Sequence, residues 1–143
     1  MRRIAHIVLS VVVVALWGCR TTDPARMVGV DIERWSEAAT LEYDNRDTLA
    51  VRALNIALRY NDTFKASELP LKIAITTPDS LHYEEVVTLE LHRPPTALAV
   101  ATTESLPYRR GVTLNRCGRY TFSFHPLVEV RGMAAIGIEF KTE

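Results

Sequence analysis

From Thr40 onward the apolar residues alternate with polar ones more often than they recur at helical spacing, as expected of strands with one buried face. Trp35, Ala39, Leu41 and Tyr43 share one parity, and so do Leu69, Leu71, Ile73 and Ile75, a run stopped by Pro78. Tyr120, Phe122 and Phe124 alternate with Thr121, Ser123 and His125 before Pro126, and Ala134, Ile136, Ile138 and Phe140 mark a last strand. Residues 82–91 and a weaker stretch at 111–114 fill the middle. Turn formers separate the runs: Asp44-Asn45, Asn61-Asp62, Pro78-Asp79, Pro94-Pro95, Pro107 and Gly118. Short strands at this spacing, with no helical pattern between them, predict an all-β fold: a single-domain antiparallel β-sandwich.

One segment argues the other way. Across 48–60 the polar residues Arg52, Asn55 and Arg59 fall at helical spacing. Read as a strand, Leu49 and Val51 have one parity while Leu54, Ile56, Leu58 and Tyr60 have the other. A bulge near Ala53-Leu54 reconciles the two halves. The bulged strand is the expectation.

The N-terminus carries a different pattern. Met1-Arg2-Arg3 is a basic start, and residues 4–17 are apolar apart from His6 and Ser10. Such a run suits a signal peptide, since a spanning helix needs about 20 residues. It ends Leu16-Trp17-Gly18-Cys19, which resembles a bacterial lipobox. In that pattern Cys19 takes a diacyl-thioether, cleavage frees its amine, and a further acyl chain such as palmitate follows; several chains on one residue anchor stably. The expected organisation is a signal peptide at 1–18, a lipidated Cys19 with a tether over 19–29, and a sandwich domain at 30–143. Arg20 is not an inner-membrane retention aspartate, so the expected place is the outer membrane, facing the periplasm.

Charge and cysteine count narrow the chemistry. The full chain has 17 basic and 17 acidic residues. Loss of Arg2 and Arg3 with the leader leaves 15 against 17, a charge of −2, which argues against nucleic acid as a partner. With Cys19 lipidated, Cys117 stands alone, no internal disulfide is expected, and no neighbouring pattern marks it as a reactive thiolate. His82, Glu84, Glu90 and His92 share one face of a strand, but the two His–Glu pairs lie roughly 26 Å apart at ~3.3 Å per residue. One ion cannot join them, so no metal is expected. The chain has no G-x-S-x-G, S-x-x-K or H-E-x-x-H sequence and no phosphate-cradling glycine loop, so neither catalytic residues nor a cofactor are expected. Arg109-Arg110 with Arg116 and Arg119 is the densest basic cluster. Sugar binding is the rival function for such a sandwich, yet Trp35 is the only tryptophan outside the leader, leaving Tyr83 and Tyr108 as possible platforms.

The order of motifs along the body resembles the GldH-type gliding-motility lipoproteins of Bacteroidetes. A lipobox leader precedes Trp35, then Leu58-Arg59-Tyr60, Leu71-Lys72-Ile73-Ala74-Ile75 and Pro78-Asp79. Near the end come Gly118-Arg119-Tyr120-Thr121-Phe122-Ser123-Phe124-His125, Arg131-Gly132-Met133 and Ile136-Gly137-Ile138-Glu139. The chain departs from that family at Phe64 and Glu68, around Pro94-Pro95, and from Leu127 to Val130, which makes it a divergent member. The resemblance implies a non-enzymatic envelope lipoprotein tied to gliding and type IX secretion, held to the membrane by its lipid and working through other envelope proteins. A glycan-binding lipoprotein is the alternative.

Two further expectations concern the surface. Asp47-Thr48-Leu49 and Asp79-Ser80-Leu81 resemble the D-S/T-aliphatic O-glycosylation motif of Bacteroidetes envelope proteins, with Ser80 the better placed of Ser80 and Thr48. The span 93–110, limited by three prolines, is expected to be an irregular loop that meets a partner through Arg109 and Arg110.

Overall fold

The computed structural model describes residues 24–92 and 101–143. The expected leader, the lipidation of Cys19 and the turn at Pro94-Pro95 lie outside the described residues. Among the described residues eight strands follow one another: β1 (Arg26–Gly29), β2 (Ala39–Asn45), β3 (Arg52–Tyr60), β4 (Glu68–Thr76), β5 (His82–Glu90), β6 (Thr102–Val112), β7 (Gly118–Pro126) and β8 (Met133–Thr142). They form two four-stranded sheets, in the orders β1-β8-β3-β6 and β2-β7-β4-β5, and every pairing is antiparallel. The fold is the β-sandwich that the alternation predicts.

Period-two burial explains how the sheets meet. Along β2, Ala39, Leu41 and Tyr43 are buried while Thr40, Glu42 and Asp44 are exposed. Along β4, Leu69, Leu71 and Ile73 point inward, and Tyr120, Phe122 and Phe124 do so from β7. The other sheet answers with Ile56, Leu58, Ile136 and Ile138, each at most 1% exposed. Area removed from water at roughly 25 cal/mol per Å² is the main force holding the two faces together.

The segment is a strand, as expected, but the bulge does not lie in it. The register of β3 against β6 shifts between Arg52 and Leu54 and again between Leu54 and Asn55. Against β8 the same residues run without a break from Arg52 to Arg59. The extra residues therefore belong to β6; β3 keeps one inward parity from Leu54 through Tyr60, and Leu49 and Val51 differ in parity because they lie exposed before the strand begins.

Three further expectations change. The tether does not extend to residue 29, because Arg26–Gly29 pairs with β8 from Arg26↔Ile138 to Gly29↔Ala135, and the sandwich begins there rather than at residue 30. Trp35 does not extend β2; it makes an isolated bridge to Val130, with N–H···O distances of 2.8 and 2.9 Å, and buries its ring in the core. The irregular loop expected over 93–110 is, from Thr102 onward, the long strand β6, which also absorbs part of the weak stretch at 111–114. Pro107 is compatible with that strand because β6 lies at a sheet edge, where a missing N–H costs no ladder bond.

Candidate functional site

The two sheets meet differently along their two sides. On one side lie the edge strands β5 and β6, brought over each other by the strand orders. Toward the β4–β5 turn this side is only partly covered: Ile75 of β4, Glu85 and Tyr108 are half-buried, and Leu81 and Tyr83 are exposed, whereas Leu89 and Leu106 are buried. This open side holds Tyr83, Tyr108 and Arg109, with Ser80 at the turn beside it.

A polar latch ties β5 to β6. Glu85 accepts a short hydrogen bond from the Tyr108 hydroxyl and two from Arg109 Nη2, at 2.7 and 2.5 Å. The Arg109 guanidinium also lies 5.3 Å from the centre of the Tyr108 ring. The Tyr108 hydrogen bond, and after it Arg109, hold the Glu85 carboxyl below its ordinary range. Burial, reinforced by Glu85, pushes the Tyr108 phenol up to about 12. At neutral pH the latch is therefore a carboxylate gripped by a neutral phenol and a cation. A second tie stands further along, where Glu104 accepts from the Tyr60 hydroxyl and the His92 backbone N–H, both at 2.8 Å.

Beyond the latch lies a cleft of about 260 Å³. The β4–β5 turn forms one wall and the β6–β7 connection the other. Ile75, Leu81, Tyr83, Leu114 and Tyr120 supply apolar surface, with Thr77, Asp79, Asn115 and Arg116 among them. A smaller recess of about 60 Å³ between Tyr83, Glu85 and Tyr108 joins the cleft to the latch.

Local sequence chemistry builds both walls. In the turn, Thr77 donates its hydroxyl to Asp79 at 2.5 Å and its oxygen accepts the Leu81 N–H at 3.0 Å. Asp79 also meets Arg116 Nε at 3.2 Å, which fastens one wall to the other. The Thr77 hydroxyl, and after it Arg116, keep the Asp79 carboxyl below its ordinary range. The opposite wall hangs on Asn45, 1% exposed at the end of β2, whose amide donates to the carbonyls of Leu114 and Arg116 at 2.8 and 2.9 Å. Gly118, at φ +121°, lets the chain pass Pro78 so closely that a Cβ would stand 3.1 Å from the proline ring.

The expected site residues divide sharply. Ser80 is exposed at the tip of the turn, at φ 65°, beside the cleft. Thr48 is partly covered in the segment before β3, where Asp47 accepts from the N–H groups of Leu49 and Ala50 at 3.0 and 3.1 Å. Arg109 is paired with Glu85 while its side chain stays exposed; the Arg110 side chain is exposed and makes no ion pair or hydrogen bond among the described residues. Cys117 is an exposed thiol in the connection before β7. His82 lies 3.6 Å from Glu84 and His92 3.7 Å from Glu104, in separate places. Among the described residues no three His, Cys, Asp or Glu side chains gather as a metal site. Of the aromatics, Tyr83 is exposed and Tyr108 half-buried, while Trp35, Tyr120, Phe122 and Phe124 belong to the core.

Sequence reasoning missed Asn45 and Glu85. Asn45 read as a turn former, although it ends the clean alternation of β2 on the buried parity, and a buried amide needs partners. Glu85 sits on the inward parity of β5 between Tyr83 and Val87, so an acidic residue on an apolar face was its available signal.

No family model matches the chain, and no curated protein sequence does. Among solved structures it is similar to a chain in the structure of infectious bursal disease virus, Gx strain, at 10% sequence identity and a TM-score of 0.30. That similarity covers 85% of this chain and 32% of the viral one, so this chain spans about a third of the length of its neighbour.

Proposed function

We propose that this protein is a GldH-type envelope lipoprotein, anchored to the outer membrane through Cys19, that works by protein contact as a non-enzymatic accessory of gliding and type IX secretion. The motif order along the body is the support for the family, and the lipobox for the anchor. The observation that carries the contact reading is the open side of the sandwich. There Leu81 and Tyr83 are exposed beside a cleft rimmed by the Asp79–Arg116 pair. Apolar surface inside a polar rim is the anatomy of a protein–protein interface. The proposed contact surface is the cleft and its walls, together with Arg109 and Arg110 on the neighbouring strand β6. One exposed tyrosine in place of a cluster of platforms weakens the glycan alternative.

The test is crosslinking in the native envelope. A photoreactive residue replaces Asn115 on the cleft wall or, as a control, Glu42 on the outer face of β2. Cells are fed labelled fatty acid. The expected result is a defined envelope protein captured from position 115 and not from 42, on a chain whose label disappears in Cys19→Ala. Equal capture from both positions, or label that survives Cys19→Ala, overturns the corresponding part of the proposal.

A further inference from the structure

The sandwich has four sheet edges among the described residues, and they are not equally protected. β1 is only four residues long, and β2 stands on the side where the sheets close on each other. β6 carries Pro107, a bulged register and Gly111 at φ 62°, all features that discourage further pairing. β5 has none of these. It is nine residues long, holds neither proline nor glycine, and among the described residues pairs with β4 alone. Leu81, Tyr83 and Val86 on and beside it are 51, 57 and 60% exposed.

We propose that the β5 edge is a dimerisation surface, which pairs antiparallel with β5 of a second copy about a two-fold axis at Val86. The inference rests on reading this side as a contact surface and names the occupant of its edge. The argument is complementarity. Centred on Val86, the register overlaps the whole of His82–Glu90 and sets Val86 against Val86. It also places Tyr83 beside Leu89 and Leu81 beside Leu91, so each exposed apolar side chain gains an apolar neighbour. On the outer face Glu90 meets His82 of the second copy twice, and Glu84 meets Thr88. Glu90 has reason to seek a partner: it lies directly opposite Glu68 on β4, and neither carboxylate forms an ion pair among the described residues. Sliding by one pair in either direction sets Glu85 against Glu85 or Glu84 against Glu90, and like charges directly opposed destabilise a ladder. The full-overlap register is thus also the one without that conflict. A two-fold axis through the strand makes the interface self-closing, so one edge serves both copies and no fibre grows.

The symmetry supplies its own test. Opposed residues in an antiparallel pair have Cα atoms about 4.5–5.5 Å apart, within disulfide reach. A single cysteine at 86 faces its own copy, whereas one at 88 lies about 13 Å along the strand from its counterpart, at ~3.3 Å per residue. The full-length chain carrying Cys117→Ser receives either Val86→Cys or Thr88→Cys and is oxidised mildly in its native membrane; the Cys117→Ser chain sets the background. The expected result is a reducible dimer from position 86 alone. Dimer from 88 alone, from both equally, or from neither overturns the inference. A mixed disulfide from 86 to a different envelope protein also overturns self-pairing, yet it leaves the contact function standing.

Discussion

The two sides of the sandwich are closed by different physics. Where β1 meets β2, closure is by packing. The Arg26 guanidinium lies 4.9 Å over the Tyr43 ring, Tyr43 packs on Phe140 with centroids 4.8 Å apart, and Arg52 donates to the Tyr43 hydroxyl at 3.1 Å. Where β5 meets β6, closure is by a carboxylate, a phenol and a guanidinium, with apolar side chains left in water beside them. Packed apolar contacts are hard to exchange, because any gap forfeits them outright. A latch of hydrogen bonds at a half-wet edge can trade partners at little net cost. The packed side is therefore built for stability and the latched side for encounter. Variants on each side test that division.

The largest effect is expected on the packed side. Gly137 of β8 runs so close to β1 that a Cβ would stand 1.8 Å from the Arg26 carbonyl oxygen and 2.6 Å from Met27 Cα. Both are backbone atoms, so no side-chain rotation relieves the clash. Gly137→Ala must push β1 off the sheet or bend β8, which also pairs with β3. We expect it to destabilise the fold by about 3 kcal/mol, as strain in a packed core does, read as a fall in the urea midpoint. A midpoint within error of wild type means that β1 is a loose appendage, and the contrast between the sides fails.

Much of this fold is legible in the sequence because burial in a sandwich has a period of two. The inward residues of β2, β4, β7 and β8 stand out as alternating runs, whereas the change of parity between Val51 and Leu54 marks the exposed approach to β3 rather than a bulge within it. β6 was illegible for a physical reason. As an edge strand it buries one large side chain fully, Leu106, and the rest of its inward face is Glu104 and Tyr108, polar groups that serve the ties to β3 and β5. Its proline and paired arginines then read as loop. The cleft was illegible for another reason. Its walls come from a turn near residue 79 and a connection near 116, the second held by Asn45 at the end of β2 and the two joined by Asp79 and Arg116, and no local pattern reports such a meeting. The exposed turn that carries Ser80 was legible because turn chemistry is local.

The middle effect belongs to Tyr108. Tyr108→Phe keeps the ring and removes the hydroxyl that grips Glu85, while Arg109 still satisfies the carboxylate. The expected cost is about 1 kcal/mol, the net worth of one such hydrogen bond, well below that of Gly137→Ala. A loss as large as that from Gly137→Ala would show that the latched side holds the fold together as firmly as the packed one. Alkaline titration of wild type gives a second reading. The folded phenol ionises near pH 12, so tyrosinate absorbance from this residue should lag behind that of the unfolded chain.

The smallest effect should appear in acid. Glu85 has its folded pKa depressed, by Tyr108 first and Arg109 second. Its contribution to stability is therefore fully present above the ordinary carboxylate range of the unfolded chain, and it drains away as pH falls through the lower folded value. Asp47 and Asp79 are depressed as well, so the whole protein loses stability across the same interval for several reasons. The difference between wild type and Glu85→Gln isolates the latch. Gln keeps an oxygen for the Tyr108 hydroxyl but loses the charge that attracts Arg109. At neutral pH wild type should be slightly the more stable, by an amount discounted because water reaches the pair. Below the carboxylate range the protonated acid and the amide carry the same charge, and the two unfolding midpoints should converge. Salt should bring them together at neutral pH too, since an exposed ion pair is screened. Midpoints that stay equally far apart from neutral pH into acid would mean that the charge of Glu85 does nothing for the latch, and that the open side is closed by shape after all.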